Sequence, residues 1–197
     1  MATGIVALLV RVAFSIVIIA LVARFLARLG KADSFNPLAQ TIAAITNPIL
    51  RPVQMLVRSY RGFDLPALLM IWLAQLLLAV IMISLSGNAG VLASNLVTLI
   101  SWSLLGMAAI IMEVLRWSML IVAIGSFLTM GSYNPFLAFI ARMIEPFVGP
   151  FRRLNLQVGI LDLSFLLAFL ALTILKNFVL LGLAQQLGYR GGLFIGL

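Results

Sequence analysis

Cysteine and histidine are both absent from the 197 residues, and only five residues are acidic. These absences exclude disulfides, thiolate or imidazole metal sites, Cys- or His-based nucleophile–base pairs and the usual haem ligands. Cysteine usage therefore gives no redox compartment. Charge of either sign is scarce, at 9% of residues, against roughly 25% in soluble domains. Apolar residues make up 64% of the chain, and the mean hydropathy is +1.23. A soluble core of this size could not cover so much apolar surface, and the chain is far too apolar for disorder. The expected solvent is the bilayer, and the length suits one compact membrane domain. The charge that is present is lopsided, with 13 Lys and Arg and a net charge of +8. In a membrane chain such residues orient spans and meet anionic headgroups, so no direct nucleic-acid binding is expected.

Four apolar stretches read as membrane spans at about 5–28, 65–87, 100–127 and 163–187. A span needs about 20 apolar residues, and Leu65–Leu85 supplies 21 without a charge. The first stretch is longer than a signal-peptide core, and its basic cluster (Arg24, Arg28, Lys31) follows it, so it reads as a retained span. Ser86-Gly87-Asn88-Ala89-Gly90 reads as a turn. The third stretch, Val91–Leu128, is too long for one upright span and too short for two. Its first residues, 91–99, are expected at the membrane interface.

The chain repeats itself at an offset of 98. Between residues 34 and 66 ten positions match their partners without a gap, among them Asn36 with Asn134, Pro37 with Pro135, Pro48 with Pro146, Pro52 with Pro150 and Asp64 with Asp162. Matching leucines would carry little weight here, but prolines, asparagine and aspartate in register mark a duplication. Residues 1–90 form the first unit and 91–197 the second, each a span, a loop and a span. Two crossings per unit return the chain to its starting side, so the units are parallel repeats. In each loop an asparagine is placed to cap a helix whose first residue is proline. Leu38, Ile42, Ile45 and Ile49 follow at helical spacing, as do Phe136, Ile140, Met143 and Phe147. Such a helix fits either the membrane interface or a face packed on the protein's own spans. Pro48-x-x-x-Pro52 and Pro146-x-x-x-Pro150 are expected to limit these helices and form stiff elbows. Asp64 and Asp162, one residue ahead of their spans, are expected as helix caps.

Nine of the 13 basic residues flank or lie in the two repeat loops: Arg24, Arg28, Lys31, Arg51, Arg58, Arg61, Arg142, Arg152 and Arg153. The positive-inside rule then places both loops in the cytoplasm and both termini outside. Arg11, Glu113, Arg116 and Lys176 fall inside spans, where ionisable residues are costly. Arg11 lies near an end and is expected to snorkel. Glu113 and Arg116 are i, i+3 neighbours able to neutralise each other, and a structural ion pair, or a triad with Lys176, is expected. A proton or ion path is the alternative for these charges.

The motifs Asn36-Pro37, Thr46-Asn47-Pro48-Ile49-Leu50-Arg51-Pro52 and Gly62-Phe63-Asp64-Leu65 carry a resemblance to a known family. So do Asn134-Pro135, Glu145-Pro146-Phe147-Val148-Gly149-Pro150-Phe151-Arg152-Arg153 and Asp162-Leu163-Ser164. Over nearly the whole chain the sequence resembles the YggT family of small duplicated bacterial membrane proteins, with YlmG-like relatives in plastids. Two departures fall in the first copy. Val53-Gln54-Met55 stands where the family usually has a basic pair, and Leu65-Pro66 stands in place of the Asp-x-Ser pattern. Lipid or partner contacts are therefore expected to be stronger in the second copy.

The resemblance implies an all-α protein of the bacterial cytoplasmic membrane, without established enzymatic activity and without cofactors. It also implies an organising or assembly role. Plastid forms are linked with cytochrome complex biogenesis and nucleoid distribution, and bacterial forms with division, envelope or osmotic behaviour. The expected function is a non-enzymatic scaffold presenting Arg51, Arg58, Arg61, Arg152 and Arg153 to anionic lipid headgroups or a membrane protein. A homo-oligomer is compatible with the sequence. The alternative is a small channel or transporter for ion or osmotic homeostasis that uses Glu113, Arg116 and Lys176.

Overall fold

The computed structural model describes residues 2–60, 62–87, 96–129, 132–154, 157–158, 161–189 and 191–197. Arg61, Arg190 and residues 88–95 lie outside the described residues, as does the side chain of Asp162. The protein is a multi-pass, all-α membrane protein. Its helices are α1 (Ala2–Leu29), α2 (Pro37–Leu56), α3 (Leu65–Leu85), α4 (Leu96–Leu128) and α5 (Pro135–Arg152). A two-residue antiparallel pair, Gln157–Val158 with Leu161–Asp162, leads into the last crossing. That crossing runs through α6 (Leu163–Ile174), a π-helical segment (Leu175–Leu180) and α7 (Leu181–Gln186). Four segments are long and apolar enough to span a membrane: Gly4–Leu29, Leu65–Leu85, Leu96–Leu128 and Ser164–Gln186.

Successive spans alternate in direction. The ends of α1 and α4 and the starts of α3 and α6 gather at one end of the bundle with α2 and α5, the loop-helix end. The core is built largely there, from Ile18, Leu21, Val22 and Leu26 of α1, Ile71 of α3, Met119 of α4 and Met143, Ile144 and Val148 of α5. Gly30 permits the closest approach, since a Cβ there would lie 1.9 Å from the backbone oxygen of Arg142. A second cluster, Ala79, Ile83, Leu99, Ala184, Tyr189 and Phe194, closes the opposite end. Large apolar side chains on the outer faces, such as Leu9, Trp117 and Phe178, remain exposed, as lipid contact requires.

Four expectations need correction. The first concerns the prolines, because α2 and α5 run through Pro48, Pro52, Pro146 and Pro150 rather than stopping at them. All four prolines lie on exposed faces. The i, i+4 spacing keeps both missing donors on one side of each helix, so the freed carbonyls stay on that accessible side and the buried ladder is intact. Second, the helix of the third span, α4, begins at Leu96 rather than at 100, with residues 96–99 as its first turn. The 33 residues make one helix of about 50 Å at 1.5 Å per residue. No proline interrupts it, and Ser103 both bonds back to the Ile100 carbonyl (2.7 Å) and accepts from Trp72 (2.8 Å).

Third, the two loop helices are not equally placed. On α5, Phe139, Ile140, Met143, Ile144 and Val148 are buried against the spans. On α2 only Thr46 and Leu50 are buried, and Ile45, Met55 and Leu56 are exposed. Fourth, Arg11 is held by the protein's own backbone, a contact that the expected snorkelling does not include. Its guanidinium donates to the carbonyls of Gly192 (3.2 Å) and Phe194 (3.3 Å).

That last contact belongs to a segment beyond the last expected span. Residues 191–197 fold back among the spans, with Phe194 fully buried. Gln75 of α3 donates to Ile195 O (2.8 Å) and Gly106 O (3.3 Å), and its Oε1 accepts from Ile195 N (3.1 Å). Tyr189 Oη accepts from the amides of Leu193 and Phe194, each at 3.2 Å. A buried backbone in an apolar surrounding needs such partners. Gly196 sits at φ +96° with its Cα against the Ile110 backbone, a position no other side chain fits.

Candidate functional site

Two side-chain clusters and one apolar cavity stand out. The first cluster is at the loop-helix end. Asp64 precedes α3, fully buried, and its Oδ1 accepts from Ala67 N (3.4 Å), an N-cap geometry. Its Oδ2 meets Arg28 at 3.0 Å and Arg24 Nε at 3.6 Å. Arg24 and Arg28 are one helical turn apart on α1, so both point at the same carboxylate. Arg24 also donates to Thr46 Oγ1 (2.8 Å) and Asn47 Oδ1 (2.6 Å) of α2, and Arg28 to Ser59 Oγ (3.0 Å). One buried carboxylate thus ties α1, α2 and α3 together. Beside it lies a cleft of about 470 Å³ lined by Arg24, Arg28, Gln54, Val57, Arg58 and Ser59.

The same end carries the repeated motifs. Asn36 Oδ1 accepts from Leu38 N (2.9 Å), while its Nδ2 donates to Pro135 O (2.8 Å). Asn134 Oδ1 accepts from Phe136 N (2.9 Å). The starts of α2 and α5 therefore touch. Two further positions agree at the offset of 98: the bridge Tyr60–Phe63 precedes α3 as the pair Val158–Leu161 precedes α6. Among the arginines expected to bind lipid or partner, Arg51, Arg58, Arg152 and Arg153 are exposed. Arg152 pairs with Glu145 at 2.9 Å, both side chains partly in the open.

The second cluster lies inside the spans. Glu113 is 15 residues from the end of α4, about 22 Å at the helical rise. Its Oε2 accepts from Lys176 Nζ and from Arg116 (3.2 Å), and its Oε1 from Trp117 Nε1 (2.9 Å). The three charges expected as a triad are therefore in contact. Lys176 comes from the π-helical segment, a deviation often found at functional positions. The Arg116 guanidinium lies 5.7 Å from the Phe169 ring centroid. Two cations share one carboxylate, so the cluster keeps a single excess positive charge.

Next to Glu113, a cavity of about 460 Å³ opens between α1, α2, α4 and α5, walled by apolar side chains including Ile19, Ile42, Phe139 and Ile140. Ile195 and Gly196 of the folded-back segment form part of its wall. Such a volume falls within the usual range of ligand pockets, about 300–1,000 Å³.

The sequence reading missed three things. Arg24 and Arg28 were counted only as orienting charges, although their i, i+4 spacing and the buried-cap position of Asp64 were a usable signal. Trp117, four residues after Glu113, was passed over. The role of Gln75 had no local signal, because its partner lies 120 residues away.

The family model described as CCB3/YggT matches residues 3–85 and 96–183. An uncharacterised protein of Pseudomonas aeruginosa is 33% identical over 174 residues, covering 88% of this chain and 87% of that protein. An uncharacterised protein of Vibrio alginolyticus is 29% identical, covering 83% of this chain and 87% of its own length. The uncharacterised protein YggT of Escherichia coli K12 is 23% identical, covering 83% and 80%. No solved structure matches the chain.

Proposed function

This chain belongs to the CCB3/YggT family, and from that premise we propose that it is a non-enzymatic scaffold or assembly factor of the bacterial cytoplasmic membrane. In this reading the loop-helix end faces the cytoplasm, both termini face outside, and the arginines of that end engage anionic headgroups and a membrane-protein partner. One observation carries it: Arg51, Arg58, Arg152 and Arg153 are all exposed at the same end of the bundle. Basic residues concentrated on one side orient a membrane protein, and near an anionic leaflet each contributes about 1 kcal/mol.

The second reading is a small channel or transporter, favoured by the mid-span contact of Glu113 with Lys176 and Arg116. Against it, the carboxylate already has three donors. The offset-98 partners of the triad are Ser15, Ile18 and Leu78, so the repeats do not supply a symmetric path. Purified protein in liposomes separates the readings. A scaffold gives no ion flux above protein-free vesicles, whereas flux that Glu113→Gln abolishes establishes transport.

A further inference from the structure

We propose that the cleft beside Asp64 is a single binding site for the phosphate of an anionic phospholipid, held by Arg24, Arg28 and Arg58 with Ser59 and Gln54 at its rim. The proposal rests on the loop-helix end facing an anionic leaflet, and it assigns one defined site where that reading requires only a basic surface.

Charge is the first argument. Three guanidinium groups line the cleft and one carboxylate stands behind them, which leaves two positive charges in excess. Asp64 is fully buried, pairs with Arg24 at 3.6 Å and already accepts from Arg28, Ser59 and Ala67. Its charge fixes the two arginines and cannot be offered to an incoming cation. The second argument is preorganisation. Arg24 is held by Thr46 and Asn47, and Arg28 by Ser59, so binding an anion costs little further ordering of these side chains. Arg58 is different. It is exposed and has no ion-pair partner among the described residues, which leaves its planar fork for bidentate contact with phosphate oxygens.

Position and size name the class of ligand. The cleft lies where α1 ends and α3 begins, at headgroup depth for a spanning bundle. Basic pockets between helices at that level take lipid headgroups. At about 470 Å³ it has room for a phosphate with its glycerol. The trio of arginines belongs to the first unit alone. At the offset of 98, Arg24, Arg28 and Arg58 correspond to Val122, Ser126 and Leu156, so the second unit cannot repeat it.

The test uses the full chain purified in detergent, with bound lipid counted by native mass spectrometry after incubation with phosphatidylglycerol or phosphatidylcholine. The expected result is one phosphatidylglycerol retained per chain in preference to phosphatidylcholine. Retention should fall at least tenfold in Arg58→Gln and stay unchanged in Arg142→Gln, an exposed arginine outside the cleft. Among the described residues Arg58 has no ion-pair partner, and a thermal midpoint equal to that of the unaltered protein confirms that its variant is folded. Inorganic phosphate, titrated calorimetrically, distinguishes the source. If it binds with the same Arg58 dependence while phosphatidylglycerol is not retained, the site takes free phosphate and the lipid assignment is overturned. Several lipids per chain, lost equally in Arg142→Gln and Arg58→Gln, would overturn the cleft yet leave a diffuse basic face intact. Retention of neither probe overturns the site altogether.

Discussion

Asp64→Asn removes one negative charge and almost nothing else. The side chain keeps its shape, and its oxygen still accepts from Ala67 N, so the cap on α3 survives. What is lost is the counter-charge for Arg24 and Arg28. The Asp64 side chain is 0% exposed, that of Arg24 18% and that of Arg28 47%. Half-exposed Arg28 turns to water, so its share is that of a surface pair, about 0–1 kcal/mol. Arg24, mostly shielded from water, keeps only Thr46 and Asn47 as partners, and stranding one member of a fully buried pair costs about 3–5 kcal/mol. The two surviving hydrogen bonds put the expected loss at the lower end, about 3 kcal/mol. For a chain of this size that corresponds to a midpoint about 6–12 °C lower. Asp64→Ala should cost about 1 kcal/mol more, because the cap goes as well. The assay is thermal unfolding of the purified protein in one detergent, with Arg24→Gln and the double variant closing a mutant cycle. The double variant should lose less than the sum of the singles, with a coupling of about 1–3 kcal/mol. A midpoint shift below about 2 °C for Asp64→Asn, or strict additivity, would refute the claim that this carboxylate holds three helices.

Other outcomes follow from the same reasoning. Glu113→Gln leaves Arg116 and Lys176 facing each other inside the spans and should cost about 3–5 kcal/mol; adding Lys176→Met should recover part of that loss, and no recovery in thermal unfolding would show that the three do not act as a unit. Gly30→Ala places a methyl group on the Arg142 carbonyl and should lower stability by about 1–3 kcal/mol through forced separation of α1 and α5, readable in the same unfolding assay. Gln75→Leu removes two hydrogen bonds from the folded-back segment and a third from Gly106 of α4, so a cysteine introduced at Leu193 should become faster to label, against no background from a chain without native cysteine; equal labelling rates in both backgrounds would refute the clamp. Arg152→Gln with Arg153→Gln should weaken anionic-vesicle binding by about 1–2 kcal/mol while leaving insertion intact, as Arg152 spends part of its charge on Glu145; unchanged vesicle binding would leave the pair a topological role alone.

The spans were legible because each is a run of apolar residues with nothing to interrupt it, and Leu65–Leu85 is the clearest case. The starts of α2 and α5 were legible too, since Asn-Pro at a helix entry has few other readings. The passage of those helices through their prolines was not. Whether a missing donor breaks a helix depends on which face it lies on, and that is fixed by packing against spans far away in sequence. The unequal burial of α2 and α5 has the same origin, because near-identical motifs meet different neighbours. The triad could be listed from the sequence as ionisable residues in spans, but its geometry required the π-helical register at Lys176. The folded-back segment 191–197 carried no signal at all. The hydrogen bonds that hold it among the spans go to Gln75 and Arg11, 120 and 183 residues away, and pattern within a window cannot reach that far.

Site-specific photocrosslinking in living cells tests most directly whether the basic loop-helix end is a docking face. A photoreactive residue would be placed at 58 and at 153, and for comparison at Val12 and Leu104 on exposed faces of the spans. The scaffold reading requires the same membrane protein to be captured from both 58 and 153, but not from 12 or 104. That capture should be lost when Arg51 and Arg152 are changed to Gln in the photoreactive chains while the amount of inserted protein is unchanged. Capture from 58 and 153 that is no greater than from 12 and 104, or that ignores those charges, would contradict it.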